Sequence, residues 1–203
     1  MGFKRKTILI NGLVLILAGL GFFIRDYSKN YSKPETALNF VSLDRIETKL
    51  SQKEECLIRK EERIVRGDSL SPFIKAGDAV QVLFDYYKCN NVKRDDIVLY
   101  SFSGNESPLI KIIKGIPGDK FKLRQTEGGW HILINKEILK NSEGVPYLVS
   151  GKRYEMLALY EKDYKGEIPA GAYLLLGNIF SGAVDSTRFG LISKEDILGK
   201  IIY

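Results

Sequence analysis

The sequence predicts a mainly β domain behind an apolar N-terminal segment. Three observations carry this. From residue 79 onward, short runs rich in Val, Ile, Leu, Tyr and Phe recur, and Gly, Pro, Asn or Asp bounds most of them. No regular alternation of strands with long helical patterns is present, so βαβ units are not expected. Residues 7–24 form one uncharged run, Thr7 to Ile24.

Length and composition set the frame. A chain of 203 residues suits one globular domain with a small appendage, and 44% hydrophobic content is enough for a core. The net charge is +6, but the basic residues are scattered among acids and form no aromatic-interleaved stripe. That pattern argues against nucleic acid as a partner and fits an anionic membrane surface. There are two cysteines, Cys56 and Cys89, and one histidine, His131. With no Cys-x-x-Cys pair and no Cys/His cluster, neither a metal site nor a cofactor is expected. A Cys56–Cys89 disulfide is expected if the bulk of the chain lies outside the cytoplasm; two free thiols are the alternative.

Residues 7–24 are long enough to cross a bilayer as a helix, which takes about 17–25 residues. Lys4, Arg5 and Lys6 precede the run, and Phe22-Phe23-Ile24-Arg25-Asp26-Tyr27 ends it without a small-x-small cleavage site. One uncleaved transmembrane anchor is therefore expected over 7–24, with 1–6 as a cytoplasmic tail. A cleaved signal peptide and a buried core helix are the rivals. Arg25, Lys29 and Lys33 follow closely, so the charge rule separates the two orientations poorly.

Residues 25–62 read as a linker followed by an amphipathic helix. Residues 25–38 are polar with Pro34, and Leu43, Ile46, Leu50 and Leu57 follow at helical spacing. The mixed charges of 53–55 and 59–63 read as a solvated face. The β domain is expected over 63–203. Ala79–Phe84, Ile97–Phe102, Leu109–Lys114, Lys120–Leu123, Trp130–Ile134 and Ala172–Leu176 read as strands. Glu155–Tyr160 reads as a short strand in a polar region, 178–190 as a loop, and Ile197–Tyr203 as a last apolar stretch.

Residues 67–78 concentrate turn formers: Gly67-Asp68, Pro72 and Gly77-Asp78. Ser69 lies among them and reads either as a turn serine or as a nucleophile presenting Oγ and its own N–H to a carbonyl. A nucleophilic serine needs a base. His131 follows Trp130 in an alternating strand and reads as structural. Lys111 is flanked by Leu109, Ile110, Ile112 and Ile113. Either it points outward, or it is buried, loses hydration and falls in pKa far enough to accept a proton. Lys114 lies on the opposite strand face, so at most one of the two lysines faces a site.

Gly67-Asp68-Ser69-Leu70-Ser71-Pro72 with Gly77-Asp78, then Asp96-Ile97-Val98, then Ile110-Lys111 before Gly115-Ile116-Pro117-Gly118-Asp119, resemble the ordered boxes of type I signal peptidases. Glu167-Ile168-Pro169-Ala170-Gly171-Ala172-Tyr173 and Gly177 through Asp185-Ser186 continue the order. The resemblance spans residues 64–192. It implies a coiled β-sheet catalytic domain behind the anchor. It implies Ser69 as nucleophile and Lys111, four residues before the Gly-x-Pro-Gly-Asp turn, as general base. The substrates implied are preprotein signal peptides, cut after small residues at the first and third positions before the bond. The location implied is the cytoplasmic membrane, single-pass, with the catalytic domain on the extracytoplasmic side and the lipid bilayer as a partner.

The resemblance also implies supporting roles and shows departures. Gly67 stands where some members carry an oxyanion-donating serine. Leu70 replaces a methionine; with Pro72 and Ile110 it is expected to meet the substrate strand. In the last box Asp185 and Ser186 are in register, Ala183 replaces a serine that bonds the lysine, and the arginine falls one place late, at Arg188. Orientation of Lys111 is left to Ser186, Asp185 or a water. Phe73 and Ile74 read as lipid-dipping or as core. A conjugative-transfer or pilin-processing peptidase of the same superfamily is the nearest alternative in function. A self-cleaving Ser/Lys repressor or a non-catalytic membrane-anchored β domain is more distant. Oligomeric state is not readable.

Overall fold

A computed structural model describes residues 57–101 and 107–203, within a compact unit that runs from Glu55 to Tyr203. Residues 1–56 and 102–106 lie outside the described residues, and with them the run at 7–24, the linker, Cys56 and the helix expected from Leu43 to Leu50. Among the described residues no helix is long and apolar enough to cross a membrane. Cys89 is disulfide-bonded.

Eleven strands form two sheets. In chain order they are β1 (Arg59–Ile64), β2 (Ala79–Phe84), β3 (Ile97–Tyr100), β4 (Leu109–Gly115), β5 (Phe121–Thr126), β6 (Gly129–Ile134), β7 (Glu137–Ile138), β8 (Leu148–Val149), β9 (Ala172–Leu176), β10 (Ile192–Ser193) and β11 (Ile197–Ile202). The larger sheet has the order β1-β2-β11-β3-β4-β9-β10. The smaller joins β5, β6 and β7, with β8 also on β6. Among the described residues three α-helices and one 3-10 turn, Lys194–Asp196, complete the domain: α1 (Tyr86–Cys89), α2 (Gly151–Asp163) and α3 (Ser186–Phe189). The mainly β expectation holds.

The large sheet follows its apolar patterning. β3 is buried along its whole length, and β11 runs between β2 and β3, so the C-terminal apolar stretch is a central strand. Burial on both faces explains why β3 reads as a continuous apolar run, whereas β11 alternates and carries Lys200, which pairs with Asp96 at 2.6 Å. One cluster, Leu70, Ile74, Val80, Val82, Leu99 and Ile112 among its members, packs one face directly beneath the serine turn. Ile74 is therefore core, and Phe73 is half-buried with its ring 5.8 Å from that of Tyr203.

Two local expectations change. Glu155–Tyr160 is not a strand but the middle of α2. Tyr154, Leu157 and Ala158 form a helical i, i+3, i+4 face packed on the small-sheet core, and this outweighs the short alternation of apolar residues. The charged run Arg59–Arg63 is solvated as expected, yet it is an edge strand paired to β2, from Arg59 opposite Phe84 to Ile64 opposite Ala79. Charged residues on an edge strand discourage pairing with other chains. Leu57 lies just before that strand, exposed and outside any helix.

Candidate active site

The serine turn is built by its own sequence. Ser71 N–H donates to Asp68 O at 2.9 Å, and Asp68 Oδ1 accepts the Ala76 N–H at 3.1 Å, closing 68–76 into a loop. Val65 N–H donates to Asp78 O, and Gly77 N–H donates to Val65 O. Leu70, only 1% exposed, anchors the loop in the core and leaves Ser69 half-buried above it. Gly67 is exposed, and a Cβ there would meet nothing within 4 Å.

Lys111 reaches this turn from β4. Its backbone pairs with Val98 of β3, and its side chain is buried, 3% of the residue being exposed. Nζ donates to Ser69 Oγ at 2.8 Å and to Ile110 O at 2.8 Å. Burial pulls its pKa down from 10.5 to about 8, and the negative charge of Asp185 opposes part of that fall. Lys114 lies elsewhere, paired with Asp95 at 2.7 Å. His131 is half-buried in β6 with Nδ1 3.3 Å from Tyr147 O, a structural setting.

A cleft of about 750 Å³ opens over the pair. Val65, Gly67, Ser69, Leu70, Ile110 and Lys111 are among its lining residues; Pro72 is exposed and is not. Pro72 turns outward because Leu70 and Ile74 take the two inward positions of the loop. The pairing of β9 with β4 begins at Ile112, so Leu109 to Lys111 have an unpaired edge on that side. Among the described residues the Ser69 N–H donates to no protein acceptor.

The last box supports the pair from behind rather than touching it. Asp185 and Ser186 are fully buried. Asp185 accepts the Gly177 N–H at 3.1 Å through Oδ2, and the Thr187 N–H at 3.1 Å and Thr187 hydroxyl at 2.6 Å through Oδ1. Ser186 Oγ accepts the Leu175 N–H at 2.9 Å. Neither bonds Lys111; Ile110 O and Ser69 Oγ take the ammonium instead. Arg188 is exposed and does not pair with Asp185. Arg153 of α2 faces that carboxylate, with Nη1 3.8 Å from Asp185 Oδ1 and bonds to Thr187 Oγ1 at 2.6 Å and Ala183 O at 3.0 Å. Arg188 lies exposed on α3, and the cation that faces the carboxylate comes instead from α2.

Two residues escaped the sequence reading. One is Arg153. The other is Asn178, fully buried, whose Nδ2 donates to Ser71 O at 2.6 Å and to Ser142 Oγ at 2.9 Å, while Oδ1 accepts the Ser142 N–H at 2.8 Å. Its position inside the last box was the available signal.

The chain is similar to known proteins over most of its described length. The family described as "Signal peptidase, peptidase S26" matches residues 57–203, well over half of the chain. Signal peptidase IB of Staphylococcus aureus is 28% identical over 151 residues, covering 68% of this chain and 74% of the relative. Signal peptidase I of Bacillus caldolyticus is 25% identical over 141 residues, covering 68% and 75%. A crystal structure of a signal peptidase I from Enterococcus faecalis aligns at 20% identity and a TM-score of 0.41, covering 56% of this chain and 98% of that one. The chain belongs to the signal peptidase family, peptidase S26, and is a serine endopeptidase.

Proposed function

We propose that Ser69 is the nucleophile and Lys111 the general base of a peptidase that removes signal peptides from exported preproteins. The observation that carries this is a buried lysine with Nζ 2.8 Å from a serine hydroxyl at the floor of an apolar cleft. A lysine with a pKa near 8 is partly neutral at physiological pH, and the neutral amine accepts the Ser69 hydroxyl proton.

Ser69 Oγ then attacks the carbonyl carbon of the scissile bond. The Ser69 N–H faces the developing oxyanion. Collapse expels the amine of the mature chain, which takes the proton from Lys111, and leaves the signal peptide esterified to Ser69. Lys111 next deprotonates a water. The hydroxide attacks the ester and releases the signal peptide as a carboxylate, and the serine recovers its proton. The substrate strand adds to the open edge at Leu109–Lys111, with small side chains of its first and third positions directed at Leu70 and Ile110. Residues 7–24 act as a single-pass anchor in the cytoplasmic membrane and hold the domain on its extracytoplasmic side.

The test uses the full chain in detergent with a preprotein carrying Ala at the first and third positions before the bond. Ser69→Ala and Lys111→Ala each reduce cleavage by about 10⁴-fold. Full cleavage by Lys111→Ala would overturn the assignment of the base.

A further inference from the structure

A second cavity, of about 860 Å³, lies where the C-terminal half of α2 meets β5, β6 and the β6–β7 turn. It shares no lining residue with the Ser69 cleft. Half of its twelve lining residues are cationic: Lys120, Lys122, Arg124, Lys136, Lys162 and Lys165. Lys and Arg make up only 31 of 203 residues in the whole chain, so this is a concentration and not the average surface. One carboxylate lines it, Glu161, and that group already accepts the Leu123 N–H at 3.2 Å.

Lys120 is paired with Glu167. Lys122, Arg124, Lys136, Lys162 and Lys165 have no carboxylate partner among the described residues. All five are exposed, so solvent screens their mutual repulsion, but together they set up a positive field that attracts an anion to the cavity. Two of them, Lys136 (φ 75°) and Lys165 (φ 53°), are held in the left-handed region that disfavours side chains, so the backbone sets these cations at the rim despite local strain. Stabilising the helix C-terminus explains Lys162 and Lys165. It does not explain Lys122 and Arg124, which project from β5.

We propose that this cavity binds a phosphate-bearing polyanion. Ammonium groups dominate the rim and bind phosphate as compact point charges, and a phosphate group brings up to about two negative charges among them where a carboxylate brings one. Buried Phe121 and Leu133 and the Tyr154 ring give the cavity an apolar floor that tolerates an organic backbone between phosphates. The ligand is either a soluble polyphosphorylated compound or an anionic lipid headgroup.

The experiment exploits Trp130, the single tryptophan, whose ring stacks on Tyr154 at 4.4 Å. Full chain in detergent is titrated with inorganic tripolyphosphate, read by Trp130 fluorescence and by calorimetry. Saturable binding is expected. Lys122→Gln with Lys162→Gln weakens it by about tenfold or more and flattens its salt dependence. Lys122→Arg with Lys162→Arg retains it. Lys60→Gln with Lys75→Gln, the same charge change away from the cavity, leaves it within about twofold. Reconstitution into phosphatidylcholine vesicles with or without phosphatidylglycerol separates the sources. Tripolyphosphate affinity that drops with phosphatidylglycerol identifies a headgroup, and unchanged affinity identifies a soluble ligand. The proposal is overturned by absent binding, by equal losses in the cavity and control variants, or by polyglutamate of matched charge binding as tightly as tripolyphosphate.

Discussion

The Ser69 carbonyl oxygen accepts the backbone N–H of Asn178 at 2.7 Å, and that of Ile179 at 3.0 Å. The segment after β9 is thus fastened to the peptide group of Ser69, the proposed nucleophile. Gly177 makes the approach possible, because a Cβ there would stand 3.0 Å from Ser69 O and 3.2 Å from the Ala183 Cβ. The Asn178 side chain repeats the fastening two residues on, at Ser71 O.

Asn178→Ala removes three side-chain hydrogen bonds and leaves Ser71 O without its amide donor. A loss of about 2–3 kcal/mol in unfolding free energy is expected from burying unsatisfied groups. kcat falls more than KM changes, because the turn that aims Ser69 loosens. Denaturant unfolding alongside steady-state kinetics checks both. Unchanged kcat in a destabilised variant would reduce Asn178 to a scaffold role.

As the proposed general base, Lys111 is expected to set the pH dependence. Below its pKa it is an ammonium and accepts no proton. kcat/KM is therefore expected to rise with pH and level off above about 8. At pH 7, one unit lower, about a tenth of the enzyme carries the neutral amine. Stability follows the same group. Its folded pKa lies below the unfolded value, so burial of the charge costs stability fully below about pH 8, and the cost fades as pH rises toward 10.5. Lys111→Met is expected to raise stability at pH 7 by up to about 3 kcal/mol and to give no gain near pH 10.5. Thermal unfolding at the two pH values measures this, and an equal effect at both would exclude a titrating lysine as the cause.

Much of the fold was legible because burial leaves a pattern. β3 and β9 are apolar through and through, β11 is apolar but for Lys200, and β5 alternates from Phe121 to Leu123. α2 was not legible: only Leu157 is fully buried along it, so its helical period is faint against its charge. β1 was hidden for a related reason, since an edge strand facing solvent carries the same Arg and Glu as a solvated linker. In the site, Ser69 and Lys111 are separated by 42 positions; the local setting of each left two readings open, and only the resemblance of the ordered boxes joined them. Arg153 was invisible because its partners, Thr187 and Ala183 O, are 34 and 30 residues away and one is a backbone oxygen.

Arg153 and Asp185 are expected to shift the pH profile in opposite directions. Asp185 raises the pKa of Lys111, and Arg153, 3.8 Å away, offsets the carboxylate's charge. Asp185→Asn therefore moves the rise in kcat/KM to lower pH. Arg153→Gln moves it to higher pH, by about half a unit or more in each case. Arg153→Lys restores most of the shift, since it keeps the charge. Each loses stability, because Gly177 N–H, Thr187 or Ala183 O is left with a poorer partner, and that loss alone would not move a pKa. Profiles that coincide with the parent would show that the two residues only hold the loop.

Gly67 offers a gain of function. The position is exposed and open, and its φ is not left-handed, so a side chain enters without strain. In Gly67→Ser the hydroxyl is expected to reach the proposed oxyanion beside the Ser69 peptide and to add a donor there. kcat is expected to rise by up to about tenfold at constant KM, a modest share of what one preorganised oxyanion donor contributes. Gly67→Ala fills the same space without a donor and is expected to leave kcat unchanged. Equal kinetics for the serine and alanine variants would mean that the hydroxyl does not reach the oxyanion, and that the Ser69 N–H acts with a donor from elsewhere in the cleft.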